Sequence, residues 1–118
     1  MKYFSCVFIL SLFININLVA QDYVSPVDFD ILLSGTFGEL RSNHFHAGID
    51  IKTQGVEGQK IRAIADGYIS RIKVSTWGYG KVIYINHPET GHTSVYAHLQ
   101  SFNKNISKRV KQEHYNKE

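Results

Sequence analysis

The sequence predicts a mostly β fold built on an antiparallel sheet, followed by one C-terminal amphipathic helix. Three observations carry this. Between residues 31 and 99, short runs rich in Ile, Val and Tyr are separated by glycine-bearing turns. Within several of those runs apolar and polar residues alternate with period two. After residue 100 the pattern changes: Phe102, Ile106 and Val110 recur every four residues among polar neighbours, the spacing of a helix with one apolar stripe.

The chain has 118 residues and opens MKYFSCVFILSLFININLVA. Lys2 gives a positive start, an apolar run follows, and Val19–Ala20 supplies small residues at its end. This is the pattern of a secretory signal peptide over residues 1–20. The run is close to a bilayer span in length, but Asn15 and Asn17 interrupt it and no stop-transfer charges follow. A cleaved signal is preferred to an uncleaved anchor, so no stable membrane insertion is expected afterwards. A lipid anchor is not expected, because the single cysteine, Cys6, lies early in the run. The remaining 98 residues contain no cysteine, so an exported form folds without disulfides and relies on its core, a metal or a partner. Those residues carry 12 Lys and Arg against 10 Asp and Glu, too small an excess to argue for nucleic acid.

Residues 21–31 read as an extended lead-in, with Pro26 biasing Ser25 away from helix. The domain proper is expected over 32–118. ILLSGTFGEL is apolar and punctuated by Gly35 and Gly38, and AGIDIKT alternates Ile49 and Ile51 against Asp50 and Lys52. In KIRAIADG a strand is expected with Ile61, Ala63 and Ala65 on one face, ended by Gly67. YISRIKVS changes parity between Ile69 and Ile72, which calls for a bulge or a buried strand. WGYG and PETG are turns around the strand KVIYINH, and HTSVYAHL is the next strand. In the final segment Ser101, Asn103 or Asn105 can cap the helix. An apolar stripe needs a partner, and the chain stops soon after it, so the sequence reads as the first part of something longer.

The segment NHFHAGID concentrates the chemistry. If His46 and Asp50 hold one cation, zinc requires their side chains to converge to about 2.0–2.2 Å from the ion. On a regular strand, positions four apart lie about 13 Å from each other. A helix is disfavoured by Gly48 followed by Ile-Asp-Ile. A bend remains, and Gly48 would permit it. Catalytic zinc sites use three protein ligands and an open position, so further donors are needed. The candidates are His44, His87, His92, His98 and His114. His98 is best placed, near a strand end, where strand alternation puts it with Tyr96 on one face as a buried or cleft-facing ligand or general base. His87 precedes Pro88 at a turn and is expected to be exposed, His92 opens a strand, and His114 extends the helix stripe. The bland alternative is that these histidines are structural or solvated, because H-x-x-x-D spacing alone occurs in many unrelated chains.

Several elements in order make the chain resemble the lysostaphin/LytM-type zinc metallopeptidases, the peptidoglycan endopeptidases of bacterial envelopes. They are H-x-G-x-D at His46 to Asp50, A-x-x-D-G-x-I at Ala63 to Ile69, the WGYGKVIYINH segment, and YAHL at Tyr96 to Leu99. The similarity covers about residues 33 to 102. It implies a β-rich peptidase domain, Zn2+ as cofactor, peptidoglycan peptides as partners and an exported or periplasmic location. It further implies that His46 and Asp50 are zinc ligands and His98 the first of two catalytic histidines. The family's third ligand and second catalytic histidine come from a later H-x-H, which does not occur after His98. The resemblance therefore implies an incomplete peptidase domain, inactive as this chain alone. The alternative is a non-catalytic domain of the same fold that binds peptidoglycan or regulates another hydrolase.

Overall fold

The computed structural model describes residues 22–116, excluding the side chain of His114. The signal-peptide expectation for residues 1–20 and the packing of His114 lie outside what is described. The fold is mostly β. Strands β1 (Leu33–Gly35) and β2 (Asp50–Ile51) pair antiparallel in one small sheet. Strands β3 (Tyr68–Val74), β4 (Lys81–His87) and β5 (His92–Tyr96) form an antiparallel meander with β4 in the centre. Helix α1 (Lys104–Tyr115) follows. No helix among the described residues is long and apolar enough to cross a membrane.

The parity change in YISRIKVS has a structural counterpart. Ile69 pairs with Ile85 and Arg71 with Tyr84, so Ser70 is an extra residue in β3 and the register shifts there. Such a bulge flips the face on which the following apolar residues fall. The central strand carries the core: Val82 and Ile83 are buried, together with Val27 from the lead-in. Because Val82 and Ile83 are adjacent, they cover opposite faces of β4. Strand β3 is an edge and is largely exposed.

Two expectations are corrected. Residues 61–67 form no strand. Their backbone groups are satisfied elsewhere: Arg62 N–H donates to Pro26 O at 3.0 Å, Ile64 O accepts from Val24 N–H at 2.8 Å, and Ile64 N–H donates to the Tyr96 hydroxyl at 2.9 Å. The segment is bound by the lead-in and by the side chains of Tyr96 and His87, which stand in for a ladder. The second correction is His87. Among the described residues it is the one buried polar side chain, 1% exposed, not an exposed turn residue. Its Nδ1 lies 2.8 Å from Asp66 O and its Nε2 2.8 Å from Ser94 Oγ. A carbonyl only accepts, so Nδ1 carries the hydrogen and Nε2 accepts from the serine hydroxyl. Both polar atoms are thereby satisfied, which is the condition for burying an imidazole.

Gly67 makes that arrangement possible. A Cβ there would lie 2.3 Å from Asn86 O and 2.9 Å from His87 Nδ1. Helix α1 begins where Asn103 Oδ1 accepts from Ile106 N–H at 2.9 Å, the N-cap geometry, so Asn103 is the cap among the three candidates. Phe102, Ile106 and Val110 are half-buried along its stripe.

Gly67→Ala should cost about 1–3 kcal/mol through overpacking. His87→Ala should cost about 2–5 kcal/mol through the cavity and the stranded hydrogen-bond partners. Urea unfolding midpoints of the two variants against wild type check both.

Candidate metal centre

The segment between β1 and β2 folds back on itself as a short hairpin. Gly38 N–H donates to His46 O and His46 N–H to Glu39 O, each at 2.8 Å. Leu40 bridges Phe45, and Arg41 N–H donates to His44 O at 2.8 Å. This reversal returns His46 to the end of β1. Asp50 then starts β2 directly opposite Gly35.

The two side chains converge. His46 Nε2 lies 3.3 Å from Asp50 Oδ1. Two donors on one tetrahedral zinc, bonded at about 2.0–2.2 Å, stand about 3.3–3.6 Å apart, so the pair already has ligand spacing. The imidazole is oriented from behind: its Nδ1 is 3.0 Å from Thr36 O. That contact requires Nδ1 to carry a hydrogen, so an imidazole that coordinates a metal does so through Nε2, the nitrogen that faces Asp50. Asp50 is 41% exposed and His46 19%, so the donors are within reach of solvent ions.

Gly48 is not what makes the turn possible. Its φ is not in the left-handed region, and a Cβ there would meet nothing within 4 Å. The reversal comes from the 38–46 hairpin instead. The glycine that the site needs is Gly35, where a Cβ would lie 2.3 Å from Asp50 Oδ2 and 2.5 Å from Arg41 Nη2. Arg41 was also outside the candidate set. Its Nη2 lies 2.8 Å from Asp50 Oδ2, 3.1 Å from Glu39 Oε2 and 3.4 Å from His46 Nδ1. The spacing Glu39-x-Arg41, which puts both side chains on one face of an extended segment, is the sequence signal that could have found them.

The other histidines lie elsewhere. His44 Nδ1 is 2.6 Å from Asn43 Oδ1, and His92 Nδ1 is 2.6 Å from the Tyr23 hydroxyl. His87 is buried in the sheet. Strand β5 ends at Tyr96, so the strand alternation expected to carry His98 into a buried or cleft-facing position does not reach it. His98 is exposed, with φ +55°, its N–H donating to Tyr79 O at 2.9 Å and its ring meeting the Tyr79 ring edge-on at 6.4 Å. Among the described residues no group of three or more His, Cys, Asp or Glu could hold a metal ion. His46 and Asp50 stand 3.3 Å apart, a separation that two donors on one tetrahedral ion would also have.

Residues 44–115 match the model of peptidase family M23, well over half of the chain. The chain belongs to peptidase family M23. The match begins at His44, so it takes in the donor pair and runs through the sheet to the end of α1. No curated protein and no solved structure matches the chain.

Gly48→Ala should leave the unfolding midpoint unchanged within about 0.5 kcal/mol, as expected where no special backbone or packing feature is touched.

Proposed function

We propose that this protein is a zinc-dependent endopeptidase acting on peptide bonds of bacterial peptidoglycan after export, with His46 and Asp50 as two of its zinc ligands and His98 as a catalytic residue. The observation that supports it is the 3.3 Å separation of His46 Nε2 and Asp50 Oδ1 in a chain that belongs to a peptidase family. Zinc, when bound, supplies the Lewis acidity that polarises a peptide carbonyl and acidifies water. His46 offers Nε2 because Thr36 O holds its Nδ1 hydrogen, and Asp50 offers Oδ1 while its other oxygen stays on Arg41.

His98 has a different part. Among the described residues it is one of two non-glycine residues with positive φ, and such backbone conformations gather at functional sites. Its exposed ring can carry a proton between water and the amine nitrogen of the cleaved peptide. Tyr79 O accepts from the His98 backbone N–H, and the Tyr79 ring meets the imidazole edge-on. A catalytic zinc site takes a third protein ligand, and among the described residues no third His, Cys, Asp or Glu joins the pair, so His46 and Asp50 by themselves are not expected to turn over substrate.

The test is zinc uptake by the full chain in equilibrium dialysis, with His46→Ala and Asp50→Ala as variants. Measurable zinc uptake by wild type, reduced beyond detection in both variants, is the expected result. A well-folded wild-type chain that takes up no zinc overturns the peptidase reading and leaves a non-catalytic peptidoglycan-binding domain in its place.

A further inference from the structure

Arg41 has no stability rationale. Its ion pairs with Glu39 and Asp50 are each more than a third exposed, and such solvent-screened pairs add little to stability. Its Nε is buried without a hydrogen-bond partner, which opposes folding rather than favouring it. Yet the surroundings are shaped to keep it. Gly35 leaves no side chain where the Arg41–Asp50 contact sits. Glu39 Oε2 accepts from both Arg41 Nη2 and Thr36 N–H, tying the guanidinium to the same residue whose carbonyl orients His46.

The atoms that Arg41 touches are informative. Nη2 has two hydrogens, and Asp50 Oδ2 and Glu39 Oε2 at 2.8 and 3.1 Å take them. The 3.4 Å approach to His46 Nδ1 is therefore packing, in keeping with an Nδ1 that already donates to Thr36. On both candidate ligands Arg41 meets the atom that does not face the other ligand: Oδ2 of Asp50 and Nδ1 of His46. It lies behind the donor pair, and Oδ1 and Nε2 remain open. Its positive charge is bracketed by two carboxylates, so Glu39, Arg41 and Asp50 together carry one negative charge toward an incoming dication.

We infer that Arg41, held by Glu39 and admitted by Gly35, is a positioning residue that fixes the Asp50 carboxylate for one-oxygen ligation of zinc. The inference rests on the zinc reading of His46 and Asp50. Outer partners of this kind typically change metal affinity about 10–100-fold.

The experiment measures zinc affinity of the full chain by competition with a chromophoric chelator. It compares wild type with Arg41→Ala, Arg41→Lys, Gly35→Ala and His46→Ala, each checked for native far-UV circular dichroism. The expected result is a loss of about 10–100-fold in Arg41→Ala and in Gly35→Ala, which keeps every charge but displaces the pair. Arg41→Lys, which returns a donor cation, should recover most of the loss, a rescue that a purely structural role would not produce. Zinc binding that His46→Ala abolishes but Arg41→Ala leaves unchanged or strengthens overturns the positioning role alone. No zinc binding by wild type overturns the donor-pair reading and this inference with it.

Discussion

The candidate site depends on the Asp50 carboxylate, whose two oxygens face different partners. One meets His46 and the other meets Arg41. This division is possible because β2 starts opposite a glycine, so backbone pairing brings the carboxylate against β1 without a Cβ in the way. A two-residue strand has little ladder of its own. Its register is fixed by pairing with Leu33 and Gly35 and by the further bond from Lys52 N–H to Leu32 O at 2.8 Å. The local geometry of the donor pair is thus inherited from a short piece of sheet and a hairpin tied at both ends.

The second sheet is organised around a polar group. His87 closes β4 and reaches Asp66 on one side and Ser94 on the other. The Ala63 to Ile69 segment is joined in this way to the sheet, although it forms no strand until Tyr68. Tyr96 does the same from β5 through its hydroxyl to Ile64 N–H. Hydrogen bonds from side chains do the work that a longer ladder would otherwise do. Among the described residues the buried side chains are those of Val27, Val82, Ile83 and His87, and the one polar side chain among them is fully hydrogen-bonded.

The chemistry follows the same division of labour. Thr36 O selects the tautomer that frees Nε2 of His46, and Arg41 holds the rear oxygen of Asp50. Neither group is a donor in the pair, but both determine which atoms face each other. His98 is held separately, at the end of the meander, by the turn that contains Tyr79.

Sequence alone was enough for features whose cause lies within a few residues. The turns, the central strand, the parity change at Ser70 and the apolar stripe of α1 are all local periodicities, and family membership followed from motifs in order. The convergence of His46 and Asp50 was legible only on the supposition that they share a cation, since a strand holds them too far apart for that and Gly48 with Ile-Asp-Ile disfavours a helix. Tertiary structure decided the rest. It buried His87, denied residues 61–67 a ladder, left His98 exposed in a left-handed backbone, and moved the needed glycine from Gly48 to Gly35. Each of these depends on a group distant in the chain: Asp66 for His87, Pro26 for Arg62, Tyr79 for His98, Asp50 for Gly35. Periodicity reports which face of a segment is apolar, but it does not report which distant carbonyl or carboxylate arrives to satisfy a polar atom.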